Sequence, residues 1–436
     1  MSRHSTGHHG SPLRGRLRVP GDKSIAHRAL LLGAMAEGTT VVEGFPHSED
    51  CLATLRCLQA LGAAIDYHGP GSAQPIRIVG RGPAALREPE IVLNTSNSGT
   101  ALRLLAGLVA GLGFYAVLTG DESLRRRPMR RVVDPLTEMG ATVLGRAGGQ
   151  YPPLAIQGAS LRGIDYTLPV ASAQVKSAIL LAGLLAQGET VVREPQPTRD
   201  HTERMLQAMG AGLNREGQVI RLQGGSALRG QRIPVPGDIS SAAFFLVAAA
   251  IVPGSDVLVE DVGVNPTRTG VLDVLREMGA DVSVENCREV AGEPVADIRA
   301  RASQLRGVSI GGDLVPRVID ELPILAVAAT QAEGRTVVSD AGELRAKETD
   351  RIAALAAELP RLGARFEERP DGFVIDGPAP LVGAHTHSFG DHRIAMALAV
   401  AGLAADGGVT VEGQECVAVS FPSFFDTLRR LQWSAE

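Results

Sequence analysis

The segment Pro20-Gly21-Asp22-Lys23-Ser24 recurs as Pro236-Gly237-Asp238-Ile239-Ser240, and the offset of 216 residues persists through the following apolar run to Gly38 and Gly254. A chain duplicated in this way is constrained to fold as two related halves. The copies differ where it matters for chemistry: the first carries Lys23, Ser24, His27 and Arg28, the second Ile239, Ser240, Ala243 and Phe244. One half has a cationic helix start that the other lacks.

A chain of 436 residues is too long for one ordinary core, and the duplication makes two domains the expected number. A net charge of -5 and an aromatic content of 3% leave neither the basic footprint nor the stacking surface of a nucleic-acid binder, so an anionic ligand needs a local cluster. Cys51, Cys57, Cys287 and Cys416 form no C-x-x-C pair, which disfavours a disulfide framework or zinc site and fits a reducing cytoplasm. No apolar stretch reaches the roughly 18 residues of a membrane helix. The polar, His-rich segment 1–10 has no apolar h-region and reads as a short disordered tail.

Within the duplication lies a smaller repeat, in which an Ala/Leu-rich helical run, a Gly and a β-branched strand follow one another: AMAEGTTVV, LVAGLGFYAVL, LLAQGETVV, AAIVPGSDVLV, ATQAEGRTVV and LAADGGVTV. Second helices end at Gly62, Gly140, Gly210, Gly279 and Gly363, each before an Ala and a strand-like stretch, where a C-cap favours positive φ. Six units of about 70 residues are too long for the usual solenoids and predict two globular α/β halves of three units each. One domain is expected over 22–236 and the other over 1–21 with 237–436, and the paired crossovers near 20–22 and 236–238 read as a hinge.

Candidate chemistry sits at the helix starts. Lys23-Ser24 opens the amphipathic-looking run SIAHRALLLGAMA, where free backbone N–H groups and the helix dipole favour an anion, although a capped surface helix gives the same pattern. Asn97, Ser98 and Gly99 precede an apolar helix with Arg103 one turn in, which suits an anion or plain capping. Arg125-Arg126-Arg127-Pro128 predicts an extended Arg127 before a Pro at a first helical position. Ser172, Ala173 and Gln174 open the next apolar helix, and Arg199-Asp200-His201 lies on the following connection. In the second half Asp320-Glu321 opens ELPILAVAA, Lys347-Glu348-Thr349-Asp350-Arg351 predicts Lys347 and Arg351 on one helical face, and Asp391-His392-Arg393 opens an Ala-rich helix. The start at Ile239-Ser240 is nearly blank. His385, His387 and Asp391 lack the partners of a known metal motif, and no metal is expected there.

Taken in order, PGDKSIAHR, NSGTALR, RRRPM, SAQVKSA, TRDHTE, AKETDR and GDHRIAM resemble the 5-enolpyruvylshikimate-3-phosphate synthase family over almost the whole chain. The resemblance implies a two-domain enolpyruvyl transferase fold of class α/β (α+β), with three βαβαββ-type units per domain about a pseudo-threefold axis. It further implies an active site in the interdomain cleft that closes on substrate. The implied reaction joins phosphoenolpyruvate to shikimate 3-phosphate with release of phosphate. No cofactor is implied, nor any nucleic-acid or membrane partner, and the expected state is a cytoplasmic monomer.

Carried over by motif, shikimate 3-phosphate is expected on Lys23, Ser24, Arg28, Ser172, Ala173, Gln174, Arg199, Asp320 and Lys347. Phosphoenolpyruvate is expected on Lys23, Asn97, Gly99, Arg127, Gln174, Arg351 and Arg393, with Arg103 at the same helix start. The resemblance implies Asp320 as base toward the 5-hydroxyl, Glu348 as proton donor to carbon, Lys23 as charge stabiliser or proton carrier, and His392 as the group orienting Glu348 or the departing phosphate. Many members carry a Lys where this chain has Val419, before Ser420-Phe421-Pro422. Gly99 is retained where a methyl group excludes glyphosate, which implies sensitivity. The sister UDP-N-acetylglucosamine transferases start with Lys-Asn and carry a reactive loop Cys, whereas Cys51 and Cys57 fall in a predicted helix. A catalytically silent binder has little need of Lys23, Asp320 and Glu348 together.

Overall fold

The computed structural model describes residues 10–433 apart from 71 and 73, so most of the expected N-terminal tail lies outside the described residues. The chain divides into two compact units. The first-half unit is Gly21–Val235 with Val290–Glu293, and the second-half unit is Met1–Pro20, Pro236–Glu289 and Pro294–Glu436.

Each unit has its own apolar core and three central helices: Lys23–Met35, Gly99–Ala110 and Ala173–Leu185 in the first half, Ile239–Ile251, Leu322–Thr330 and His392–Ala404 in the second. The reading of Lys23–Met35 as amphipathic is corrected, because every residue from Ile25 to Met35 is buried. A helix packed on neighbouring helices and on sheet has no solvent face, and after the polar start that ends at Arg28 its sequence is accordingly apolar all round. Gly107 makes one such approach possible: a Cβ there would lie 2.2 Å from the carbonyl oxygen of Ala178 on the third central helix.

The repeat is complete in the second, third and fifth units. In the second, strand Leu93–Asn94, the central helix, strand Tyr115–Thr119, helix Arg130–Glu138 and strands Thr142–Gly145 and Tyr151–Gln157 give the βαβαββ order. The first two strands pair in parallel and the others antiparallel. The first and fourth units borrow their opening strand across the duplication. Arg232–Pro234 runs parallel to Glu37–Glu43, and Arg14–Leu17 runs parallel to Asp256–Gly263. The sixth is shortened to the two strands His385–His387 and Thr410–Glu412, followed by helix Phe424–Trp433.

The glycines ending the second helices have φ of +86° at Gly62, +116° at Gly140, +97° at Gly210, +87° at Gly279 and +93° at Gly363, as their C-cap reading requires. Among the described residues no helix is long and apolar enough to cross a membrane.

Candidate active site

Within the first-half unit the N-termini of the three central helices are held together by side chains from their own first two turns. Asp22 caps the first, accepting from the Ile25 N–H at 3.0 Å. Ser98 caps the second through Ala101 N–H at 3.1 Å, and Ser172 caps the third through Val175 N–H at 3.5 Å. Three positive dipole ends then share one end of the bundle, before any side-chain charge is added.

Lys23 Nζ lies 2.8 Å from Asp50 Oδ2, a partner on helix Glu49–Ala60 that no local pattern in the sequence marks. Arg28 is buried and spans the first and third helices. Its Nε donates to Thr202 Oγ1 at 2.6 Å, its Nη2 to Ser177 Oγ at 2.7 Å and its Nη1 to the Ser24 carbonyl at 2.8 Å. Burial pulls its pKa down to about 10, with Glu203 and Asp22 opposing that fall and Arg199 adding to it. Arg199 therefore stands within electrostatic reach of Arg28, just before the helix His201–Ala208 that supplies Thr202.

A second group forms at the start of Gly99–Ala110. Arg127 Nη2 donates to Asn97 Oδ1 at 2.6 Å, and Asn97 Nδ2 donates to Asp121 Oδ2 at 2.6 Å. Arg103 donates to Gln174 Oε1 and, at 3.2 Å, to the Pro128 carbonyl, while Gln174 Nε2 donates to Thr100 Oγ1 at 2.9 Å. Arg127 is extended, with φ -79° and ψ 139°. Pro128 does not open the helix: Arg130 does, because Met129 takes the capping position. Ala173 is the first residue of the third central helix and contributes backbone only.

In the second-half unit the polar groups gather around Asp320. Its Oδ1 accepts from Lys347 Nζ at 3.2 Å and Arg351 Nη1 at 3.3 Å, and its carbonyl accepts from Arg393 Nη1 at 3.1 Å. Arg351 also donates through Nη2 to Glu348 Oε2 at 2.7 Å and through Nε to Asp391 Oδ2 at 2.8 Å. Burial works against its charge, yet Asp391, Glu348 and Asp320 together raise its pKa above the ordinary arginine value. Asp391 caps the last central helix through the Arg393 N–H at 2.8 Å, and buried His392 is that helix's first residue.

Two expectations fail here. Lys347 and Arg351 do not share a helical face, because Asp350 caps the helix that Arg351 begins and Lys347 ends the 3-10 turn before it; they meet through Asp320 instead. The start of the fourth central helix is not blank. Arg268 Nη2 reaches Ser240 Oγ at 2.7 Å and Asp238 Oδ1 at 3.1 Å, and Ser240 donates to Glu321, which lies 3.9 Å from Arg393 Nη1. The missing cation comes from a connection 30 residues downstream of the cap, beyond the reach of motif reading.

The structure thus brings Lys23, Ser24 and Arg28 to one place, with Arg199 in reach, and gathers Asn97, Gly99, Arg103, Arg127 and Gln174 at the neighbouring helix start. Asp320, Lys347, Glu348, Arg351 and Arg393 form the second-half cluster. Val419 ends a 3-10 segment, Gln414–Val419, ahead of Ser420.

Chemically, the first-half groups form a cationic, hydrogen-bond-donating surface suited to phosphate and carboxylate. The second-half groups set three carboxylates, Asp320, Glu348 and Asp391, among three cations, Lys347, Arg351 and Arg393, a set able to move protons and bind an anion. Among the described residues no three His, Cys, Asp or Glu side chains are grouped as a metal would need.

Residues 8–428 match the family model described as EPSP synthase (3-phosphoshikimate 1-carboxyvinyltransferase). The chain is 57% identical over 422 residues to the 3-phosphoshikimate 1-carboxyvinyltransferase of Synechococcus sp. (strain JA-3-3Ab), covering 96% of this chain and 94% of that one. It is 51% identical over 419 residues to the enzyme of that name from Bacillus cereus (strain G9842), covering 96% and 97%. The solved EPSP synthase of Acinetobacter baumannii superposes with a TM-score of 0.86 at 48% identity, over 98% of this chain and 97% of that one. The enolpyruvyl transferase NikO from Streptomyces tendae, at 21% identity and TM-score 0.76 over 97% and 96% of the two chains, shares the fold.

Proposed function

Because the chain belongs to the EPSP synthase (3-phosphoshikimate 1-carboxyvinyltransferase) family, we propose that it transfers the carboxyvinyl group of phosphoenolpyruvate to the 5-hydroxyl of shikimate 3-phosphate, releasing inorganic phosphate. The observation that carries the assignment of roles is the meeting of Lys347 and Arg351 on one oxygen of Asp320, with Glu348 on the same Arg351.

In the addition step Asp320 takes the proton of the 5-hydroxyl, whose oxygen bonds to carbon 2 of phosphoenolpyruvate, while Glu348 delivers a proton to carbon 3. The product is a tetrahedral ketal that still bears its phosphate. In the elimination step carbon 3 returns its proton to Glu348, the carbon–oxygen bond to phosphate breaks, the proton held by Asp320 passes to the departing phosphate, and Lys23 offsets the charge of that leaving group. General acid–base assistance of this kind contributes about 10²- to 10⁴-fold. His392, at the helix start beside Asp391, orients Glu348 or the departing phosphate.

Arg28, Arg199, Ser24, Ser172, Ala173 and Gln174 hold shikimate 3-phosphate together with Lys347. Asn97, Gly99, Arg127, Arg351 and Arg393 hold phosphoenolpyruvate, with Arg103 behind them. Charge-assisted bonds worth about 1.5–3 kcal/mol each make several such contacts sufficient for a multiply charged ligand. The reading carries with it a cytoplasmic monomer that needs no metal or organic cofactor.

Phosphate release from purified protein given both substrates, in the presence of EDTA and with UDP-N-acetylglucosamine as rival acceptor, tests it. Release with the shikimate acceptor alone is expected; release only with the nucleotide sugar moves the chain to the sister activity, and release with neither leaves a silent binder.

A further inference from the structure

The third central helix carries a charge where its neighbours carry apolar side chains. Lys176, its fourth residue, is 0% exposed, a position that an ammonium group tolerates only when fully paired. Its Nζ lies 2.9 Å from Glu194 Oε1 and 2.7 Å from Glu203 Oε1. Arg215 completes the set, its Nη2 and Nη1 each 3.3 Å from Glu194 Oε2 and Glu203 Oε1 respectively. Two cations thus balance two carboxylates, with Lys176, Glu194 and Glu203 buried and Arg215 partly exposed at the edge of the set.

Well-packed apolar residues usually serve stability as well as such a set does, so its value is sought in what it orients. Glu194 also accepts from the Thr198 N–H at 3.1 Å and from the Thr198 hydroxyl, and Lys176 Nζ donates to the Thr198 carbonyl at 3.4 Å. The connection from Glu194 to Thr198 is closed onto the lysine, and the next residue is Arg199. On the other side, Ser177 follows Lys176 and Thr202 precedes Glu203. Their hydroxyls lie 2.7 Å apart and hold the Arg28 guanidinium between them.

We propose that Lys176 is a positioning residue for the phosphate group of shikimate 3-phosphate, fixing Arg199 through Thr198 and Arg28 through Ser177 and Thr202. Arg28 and Arg199 repel one another, and a pair of like charges stays in place without its anion only if each is anchored from behind. Preorganisation then spares substrate binding the cost of gathering them. The inference rests on the reading that these two arginines bind that phosphate.

Steady-state kinetics on the full chain, with calorimetric binding of shikimate 3-phosphate, tests it. In Lys176→Met combined with Glu194→Gln, which leaves Arg215 and Glu203 as a balanced pair, KM and Kd for shikimate 3-phosphate are expected to rise about tenfold. KM for phosphoenolpyruvate should stay within about twofold in the same variant. A folded variant with unchanged affinity for shikimate 3-phosphate, or with both KM values raised equally, overturns the proposal. Should that variant fail to fold, Thr198→Val carries the test with an expected rise of about threefold in KM for shikimate 3-phosphate alone, and no rise rejects the coupling. Wild-type protein that turns over neither substrate removes the reading beneath the inference; normal wild-type turnover with unmoved variants removes only the inference.

Discussion

Arg351 Nε donates to Asp391 Oδ2 at 2.8 Å, with the two side chains 1% and 0% exposed. Asp391 also caps the last central helix, so one carboxylate both starts a helix and neutralises a buried cation. Removing it by Asp391→Ala strands Arg351 and uncaps the helix, at a cost of about 3–5 kcal/mol for the pair and about 1 kcal/mol for the cap. Asp391→Asn keeps an acceptor for the helix and is expected to lose less. Urea denaturation of the two variants checks the order; equal losses, or losses under about 1 kcal/mol, contradict the double role.

Asp320→Asn keeps the size of the side chain and removes its capacity as a base. With Lys347, Arg351 and Arg393 still present to bind substrate, kcat is expected to fall by about 10²-fold or more. KM for either substrate should change far less. Initial rates at saturating substrate settle the matter, and a variant as fast as wild type takes Asp320 out of the chemistry.

A methyl group at Gly99 would sit 2.9 Å from Arg103 Nη1 and 3.3 Å from Arg127 Nη1. Both neighbours are ends of flexible side chains, so Gly99→Ala is expected to fold normally while displacing the two guanidinium groups. KM for phosphoenolpyruvate should rise about tenfold and inhibition by glyphosate should weaken, with KM for shikimate 3-phosphate nearly unchanged. Unaltered kinetics for all three ligands would show that the arginines move aside without consequence.

His27 is buried within electrostatic reach of Asp50, Lys23 and Arg28, its Nδ1 2.7 Å from Thr54 Oγ1. Burial, with some help from the two cations, lowers its pKa from 6.5 to about 3. Between those values the unfolded chain binds a proton that the folded chain refuses. Stability from this group is therefore complete above the unfolded pKa and is lost as pH falls toward 3, by up to about 1.4 kcal/mol per pH unit. His27→Asn preserves a partner for Thr54 and removes the proton site, so its loss of stability between about pH 7 and pH 5 should be smaller by about 2 kcal/mol. Denaturation curves that run parallel in variant and wild type reject the assignment.

What the sequence made legible follows a physical rule. Features set by local backbone chemistry were readable: the positive-φ glycines after the second helices, the polar helix starts at Lys23, Ser98, Ser172 and Asp391, and the extended Arg127 before Pro128. Pairings made across the fold were not. Nothing near Lys23 announces Asp50, nothing near Ser240 announces Arg268, and Lys176 reads like any surface lysine until Glu194 and Glu203 are seen around it. The duplication misled in one respect, since the uncharged start of the fourth helix suggested a vacancy that a distant arginine fills. Spacing misled in another, since four residues between Lys347 and Arg351 imply a shared helical face only if the helix has begun.

Among the described residues the opening strand Arg14–Leu17 has its one strand partner at Asp256–Val259, 242 residues downstream in the first paired position. At roughly 5–20 residues per second, a nascent chain leaves the ribosome carrying that strand unmatched for some ten to fifty seconds. The late strand Arg232–Pro234, which closes the first sheet of the first-half unit, emerges before that partner does. An idle strand is a template for aggregation unless its edge repels, and here Arg14, Arg16 and Arg18 punctuate it with positive charge. Arg16 and Arg18, which end as exposed partners of Glu260 and Asp261 in the finished protein, and Arg14, which ends on the Gly254 carbonyl, thus serve first as guards of an unfinished one.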